Sequence, residues 1–368
     1  MRRARQHQAS CQRASSVVSE RPGRWSANGR VLGLEGRDRV VPNDARGRTM
    51  LVVWVAMGLS GGCGVVPMPD REARDHPSAV DQCACLHSGM PSRSIVYAGE
   101  PGAFAEDAVL AAFGDAPRAA VGSFRAVFEA VTAGDAEAGV VPIENVINGT
   151  VRENYDLLIE FDLVIHGEVM VPVRLCLAAL PGQRIEDIER VYSHIQALGQ
   201  AESFLRSRPW QLLSTYNTAG AGKAIADAGE RAAAAVLSPR AAALFGLEIL
   251  ADEIGDLPDN RTRFLILARA DGRPPELVRP PDRRRTTLVV AVRNEPGTLL
   301  AVLRVIAAHG LNMRKLESRP SRERAWEYVF WIDLDGDIAD PSMAAALDEV
   351  RGVTTMTRVL GSYPSPDA

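Results

Sequence analysis

Thr262 and Arg263 stand side by side where a polar turn runs into an apolar stretch. The sequence there is Pro258, Asp259, Asn260, Arg261, Thr262, Arg263, followed by Phe-Leu-Ile-Leu-Ala up to Ala268. Asn and Asp favour turns because their side chains bond their own backbone. The apolar run suits a buried strand. Thr262 and Arg263 are therefore expected at a strand mouth, where open α/β sheets bind ligands. A hydroxyl beside a fixed cation suits an anionic substrate that must lose an oxygen. The same two residues also serve in a strand end that only bonds neighbouring backbone.

A second group of polar residues follows another apolar strand. Ala138–Ile143 delivers Glu144 and Asn145, then the turn Asn148-Gly149 and Thr150. Such residues make an anion cradle, or Glu144 caps the next helix. A third group is Ser193, His194 and Gln196, at the end of a short strand. His194 is a candidate acid or base because its pKa lies near neutrality; a capping or core role fits equally well. Thr218 opens a Gly/Ala-rich helix as its N-cap. Gly99 and Gly102, at a strand–helix junction, let a ligand approach backbone N–H groups.

The elements that must place these residues alternate between strand and helix. Ser94–Ala98 reads as a strand, Ala105–Phe113 as a helix, and Ser123–Ala133 as an amphipathic helix capped by Ser123. Val151–Phe161 is helical and Leu163–Met170 leaves this first half. The second half runs through Pro172–Ala179, Val191–His194, Ala219–Ala228, Ala232–Leu237 and Leu247–Ala251. The chain then returns to the first half. Two α/β lobes, 94–171 with 252–270 and 172–251, imply a cleft between them, where small anionic ligands bind.

After a proline-rich linker, 271–282, residues 283–363 follow the order strand, helix, strand, strand, helix, strand, the ferredoxin-like βαββαβ pattern. The turn Asn294, Glu295, Pro296, Gly297, leading into Thr298 and Leu299, offers N–H groups to a carboxylate. Asn312, Glu317, Ser318, Arg319 and Pro320 suit the charged ends of an amino-acid ligand, or the partner chain of a dimer.

Composition narrows the classes. The chain has 368 residues, 46% hydrophobic and 24% charged, as in ordinary globular proteins of two or three domains. A net charge of -4 gives no basic field for nucleic acid. Four of the five cysteines precede residue 90, and Cys83-Ala-Cys85 lacks the second ligand pair of a zinc site. Reduced thiols and no structural metal are expected. Residues 1–93 read as a disordered extension or a segment upstream of the true start. The apolar run Met50–Leu59 is too short to span a bilayer and lies too far in for an export signal. A cytoplasmic protein with no membrane partner is expected.

These motifs, in this order, resemble the prephenate dehydratase family, which includes the plant-type arogenate dehydratases. The resemblance covers residues 94–363. It rests on Gly99-Glu-Pro-Gly-Ala-Phe104, Val140-Val-Pro-Ile-Glu-Asn145 with Gly149-Thr150, Ser193-His-Ile-Gln-Ala-Leu198 and Thr262-Arg-Phe264. In the small domain it rests on Gly297-Thr-Leu299 and Glu317-Ser-Arg-Pro320. Val146 and Ile195 depart from it, where the family usually has Ser and Pro. Gly-x-Pro-Gly-Ala and Asn154-Tyr-Asp-Leu-Leu158 look like the arogenate-type branch.

The resemblance implies an α/β type II periplasmic-binding-protein-like catalytic unit plus a ferredoxin-like ACT domain. It implies decarboxylative dehydration of prephenate, or of arogenate, with L-phenylalanine as an allosteric effector; the competing class is a non-enzymatic amino-acid sensor, a binding-protein fold plus an ACT domain with no turnover, against which the Thr262-Arg-Phe264 triplet argues. Thr262 is then catalytic. Glu144, Asn145, Gly149, Thr150, Ser193, His194, Gln196, Thr218, Arg263 and Phe264 are then the substrate-binding candidates. Glu295 to Leu299, Asn312 and Glu317 to Pro320 are the effector candidates. Aromatisation drives the loss of carbon dioxide, so neither metal nor cofactor is expected. A homodimer or homotetramer is implied by the ACT domain.

Overall fold

A computed structural model describes residues 94–320 and 328–366. The readings of the N-terminal extension, of Met50–Leu59 and of Cys83 and Cys85 lie outside the described residues. The first lobe opens with β1 (Ile95–Ala98), α1 (Phe104–Phe113), β2 (Arg118–Val121), α2 (Phe124–Ala133), β3 (Ala138–Asn145) and β4 (Gly149–Thr150). It continues with α3 (Arg152–Glu160) and β5 (Leu163–Pro172). Ser123 caps α2 by accepting from the Ala126 N–H at 3.1 Å, and Gly134, at φ 83°, ends it in the left-handed conformation.

The second lobe holds β6 (Cys176–Ala179), β7 (Arg190–His194), α4 (Ile195–Gln200), α5 (Glu202–Arg206) and β8 (Gln211–Thr215). It closes with α6 (Thr218–Ala228), β9 (Ala233–Leu237), α7 (Pro239–Leu244) and β10 (Glu248–Ala251). Its sheet has the order β10-β6-β9-β7-β8, with the fully buried Ala-Ala-Ala-Val-Leu of β9 at the centre.

The chain then returns as β11 (Arg261–Arg269), which pairs antiparallel with β3 on one side and β5 on the other. The first sheet runs β2-β1-β3-β11-β5, with β4 hydrogen-bonded to β3. Between its two neighbours β11 is buried from Thr262 to Ala268. Its register sets Thr262 opposite Asn145 and Arg263 opposite Glu144. Side chains alternate along a strand, and directly opposed residues share a face. Thr262 and Asn145 therefore lie on one side of the sheet, Arg263 and Glu144 on the other.

The C-terminal part comprises β12 (Arg284–Ala291), α8 (Thr298–Ala308), β13 (Met313–Pro320), β14 (Tyr328–Asp335), α9 (Pro341–Val353) and β15 (Met356–Pro364). The sheet order is β13-β14-β12-β15, and all three pairings are antiparallel. Val302 and Ile306 of α8 and Met343, Leu347 and Val350 of α9 cover one face. The other face closes over the first lobe. Val289, Val329, Trp331, Leu360 and Tyr363 share one apolar core with Val96, Phe128, Leu158 and Leu265. Trp331 meets Tyr155 edge-on, ring centroids 4.6 Å apart. At Gly361 a Cβ would collide with the Ile165 carbonyl oxygen, so only glycine lets β15 lie this close to β5.

The sequence suggests a small domain set apart by a loose linker; the structure binds both to the first lobe. Within the linker, Leu277 packs against the core and the Val278 N–H donates to the Ala112 carbonyl at 2.9 Å. Among the described residues no helix is long and apolar enough to cross a membrane.

Candidate active site

Between the lobes lies a cleft of about 630 Å³. Its apolar wall includes Phe104, Phe124, Val173, Leu175 and Phe264. Its polar side is built largely from helix starts. Ala103, Phe104 and Ala105 open α1, Val151, Arg152 and Glu153 open α3, and Asn217, Thr218 and Ala219 open α6; all line the cleft. First-turn N–H groups have no acceptor inside their own helix and carry the positive end of its dipole. Three such ends around one space suit a ligand with negative charge.

Thr262 is 9% exposed and borders this space. Its Oγ1 accepts from Asn145 Nδ2 at 3.0 Å. The orientation of the Asn145 amide follows from its other end, where Oδ1 accepts the backbone N–H groups of Ile147 at 3.0 Å and Asn148 at 2.9 Å. Nδ2 must then face Thr262, and it also donates to Asn260 Oδ1 at 2.8 Å. Asn260 Nδ2 in turn donates to Gln200 Oε1 at 2.8 Å, tying α4 of the second lobe into the chain. With its oxygen already accepting a bond, Thr262 has its own hydroxyl hydrogen to offer to the cleft.

Asn145, Gly149, Thr150, His194, Gln196, Thr218, Thr262 and Phe264 line this one space. His194 Nδ1 accepts from the Gln196 N–H at 3.3 Å, which requires an unprotonated ring nitrogen, and burial pushes the His194 pKa down. Asn217, not Thr218, caps α6, accepting from the Gly220 N–H. Thr218 is the first helical residue, so its hydroxyl is not used in the cap.

Three of the expected residues are elsewhere. Ser193 is fully buried and donates to the Val236 carbonyl at 2.6 Å, holding β7 to β9. Glu144 faces the small domain, with Oε2 2.8 Å from Lys315 Nζ. Arg263 also faces away. Its Nε bonds Glu168 at 2.5 Å, one terminal nitrogen bonds Asp333 at 2.7 Å and the other the Tyr363 hydroxyl at 3.1 Å. Burial opposes its charge, but Asp333, Tyr363 and Glu168 outweigh that and raise its pKa well above the ordinary arginine value. This guanidinium is committed to Glu168 and the small domain and does not line the cleft. The positions where the motifs depart, Val146 and Ile195, are 66% and 63% exposed and are not part of the cleft lining.

In the sequence Asn260 and Asn148 stand out only as turn residues, and nothing marks Gln200. Their part in the amide chain comes from tertiary contact and leaves no mark on local pattern. Opposed charges also join the lobes across the cleft. Glu100 accepts from the Tyr216 hydroxyl and from Lys223 Nζ, each at 2.9 Å, and Arg240 bonds Glu106 at 2.9 Å.

The effector candidates divide likewise. Glu295, Gly297, Thr298 and Leu299 line a hollow of about 320 Å³ with Tyr328 and Phe330. Pro296, Asn312, Glu317, Ser318, Arg319 and Pro320 are not among its lining residues. Asn312 donates to Asp335 at 2.7 Å and Arg319 to Asp156 at 3.1 Å, while Thr150 donates to Glu317 at 3.2 Å. Among the described residues no cluster of three His, Cys, Asp or Glu is placed to hold a metal ion.

Residues 95–272 match the family described as prephenate dehydratase, and residues 286–352 match the ACT domain. A bifunctional chorismate mutase/prephenate dehydratase of Aquifex aeolicus (strain VF5) is 39% identical over 304 residues, covering 82% of this chain and 80% of that one. The solved structure of prephenate dehydratase from Arthrobacter aurescens in complex with L-Phe has a TM-score of 0.67 at 33% identity, covering 74% of this chain and 90% of that one. A structure described as GqqA, a novel type of quorum quenching acylase, also has a TM-score of 0.67 at 33% identity, covering 74% of this chain and 98% of that one.

Proposed function

This chain belongs to the prephenate dehydratase family and carries its ACT domain, and from that premise we propose the decarboxylative dehydration of prephenate to phenylpyruvate. The observation that carries the proposal is the Thr262 hydroxyl, held by Asn145, at the edge of a space into which three helix N-termini open. Prephenate brings two carboxylates, a ring hydroxyl and a cyclohexadiene ring. The helix starts bind the carboxylates, and Phe104, Phe124 and Phe264 flank the ring.

As the ring carboxylate leaves as carbon dioxide, the electron pair of the broken C–C bond enters the ring and the C–O bond to the hydroxyl breaks. One proton is taken up to release that oxygen as water. Thr262 donates its hydrogen bond to the departing oxygen and stabilises charge there. Arg263 has no direct part in this step.

The acylase described for one structural relative fits this cleft less well. Amide hydrolysis by a side-chain nucleophile needs an adjacent base. Among the described residues no Ser or Cys lines the cleft, and Thr262 is bonded to an amide. Arogenate is the second substrate reading. It has an ammonium where prephenate has a keto group, and among the described lining residues Glu153 is the one carboxylate. The arogenate-type Asn154–Leu158 stretch follows it directly.

The test is direct: the purified chain is given prephenate and followed in the ultraviolet for phenylpyruvate, then given arogenate and scored for phenylalanine. Turnover of neither substrate refutes the assignment. We further propose that L-phenylalanine binds the hollow at Glu295, Gly297, Thr298 and Leu299 and inhibits from there. Linkage then requires substrate to weaken phenylalanine binding by the same factor.

A further inference from the structure

We propose that β13 of the small domain is part of the catalytic scaffold, with Lys315 and Glu317 holding the hairpin that carries Asn145 and so setting the position of the Thr262 hydroxyl. The inference rests on the dehydratase reading for its activity arm, but its geometry does not depend on it. Residues Lys315 and Glu317 are two apart on one strand, and period-two alternation puts both on the same face. Lys315, Glu317 and Arg319 are all half-buried, while Arg314, Leu316, Ser318 and Pro320 between and beside them are exposed. Lys315 Nζ lies 2.8 Å from Glu144 Oε2. Glu317 Oε2 accepts from Thr150 Oγ1 at 3.2 Å.

Glu144 and Thr150 are not two arbitrary partners. They face each other across the β3–β4 hairpin as one register pair, with Asn145 opposite Gly149 next to them. Both strands of the hairpin are therefore gripped at a single level, one by each β13 side chain. The turn beyond is short, Val146 to Asn148, and Asn145 organises it by accepting the N–H groups of Ile147 and Asn148. Gly149 completes it at φ 72°, a conformation that favours glycine. The far end of the same Asn145 amide donates to Thr262. A displacement of Glu144 or Thr150 is thus carried to the hydroxyl through one residue.

Lys315 is further fixed by the Tyr155 ring, 5.3 Å from Nζ to centroid, and Tyr155 is itself packed on Trp331. The grip therefore stands on the shared core of lobe and small domain. A ligand that moves β13 from its exposed face moves the hairpin with it. Lys315 and Glu317 are positioning residues: they touch the hairpin, not the substrate.

The experiment uses the full chain and three variants: Lys315→Met, Lys315→Arg and Glu317→Met. Each is measured for kcat and KM with prephenate, for Tm, and for amide hydrogen exchange at Ile147 and Asn148. The expected result for Lys315→Met is a kcat lowered roughly tenfold or more, the usual penalty for a misplaced catalytic group. Exchange at Ile147 and Asn148 should quicken while the amides of β9 keep their wild-type rates. Lys315→Arg should restore most of the kcat, and Glu317→Met should act in the same direction as Lys315→Met. A role in overall stability alone would instead speed β9 and the hairpin together.

Wild-type exchange at Ile147 and Asn148 in folded Lys315→Met overturns the proposal. Where Lys315→Met does not fold, Glu317→Met takes its place, and wild-type exchange at the same two amides overturns the proposal equally. If wild-type protein turns over neither prephenate nor arogenate, the dehydratase reading fails, and the exchange data still decide the grip.

Discussion

The two faces of β11 differ in kind although their residues are neighbours in the chain. On the cleft face Thr262 belongs to an uncharged chain of amides, from Gln200 through Asn260 to Asn145. On the other face Arg263 sits among Glu168, Asp333, Arg285, Tyr363 and Thr287, all buried. Neutral donors and acceptors leave the cleft able to take up an anion and to spend a hydrogen bond on it. The charged face is already neutralised, and its strength goes into joining the small domain to the first lobe. One residue of displacement along a strand thus separates a hydroxyl at the cleft from a charge buried at the interface.

The sharpest way to break this comparison is to exchange the expected penalties. Thr262→Ala should lower kcat by roughly 10²–10⁴-fold, the range for a positioned acid, with little change in Tm. Arg263→Met should do the reverse. Removing one partner from a buried ion cluster costs about 3–5 kcal/mol because the remaining charges are left unpaired, so calorimetry or denaturant unfolding should register a large loss. If Arg263→Met keeps its Tm but loses substrate affinity, the two faces have been assigned the wrong way round.

Asn145→Asp is a smaller and more pointed change. The carboxylate still accepts from Ile147 and Asn148, but it turns the Thr262 hydroxyl inward as a donor and takes its hydrogen from the substrate. A fall in kcat of roughly ten- to hundredfold is expected, on the scale for misdirected catalytic groups. An unchanged kcat in this variant would show that the direction of that hydrogen bond is immaterial.

Acid should separate the faces with the smallest effect. Burial lowers the pKa of His194 at the cleft, and burial with Arg284 lowers that of His166 beside the small domain. The unfolded chain then takes up these protons first, so stability falls as pH drops below about 6.5, the ordinary histidine value, towards the folded values. Asp333 behaves differently. Burial pushes its pKa up, but Arg263 and Thr287 outweigh it and hold it below the usual carboxylate range. Its contribution persists above that range and is lost only in stronger acid. Tm measured against pH should therefore decline in two stages, the first removed by substituting both histidines with glutamine.

Much of the fold was legible because it depends on local pattern. The Phe-Leu-Ile-Leu-Ala run marked β11, Ser123 marked the start of α2, and the βαββαβ order marked the third sheet. Three strands escaped notice: β4, only two residues long, and the longer β2 and β8. The latter two are sheet edges, with Arg-Ala-Ala-Val and Gln-Leu-Leu-Ser-Thr partly exposed, so neither shows a continuous apolar run nor a clean alternation. The cap of α6 was misplaced by one residue, since Asn217 and Thr218 are adjacent and both suit the position.

What the sequence determined by itself was which side chains stand at which strand ends; it set Thr262 and Arg263 together against one ligand, and the alternation of side chains along β11 parts them. It did not determine what waits on each side. β11 is buried on both faces, so its apolar run carries no alternation to mark cleft from interface. Only the packing of the third sheet onto the first lobe decided that Arg263 meets Asp333 and Tyr363, that Glu144 meets Lys315, and that Thr262 is left to the cleft. Those partners lie far apart along the chain, as Glu144 and Lys315 show, and such pairings depend on where whole elements come to rest in space.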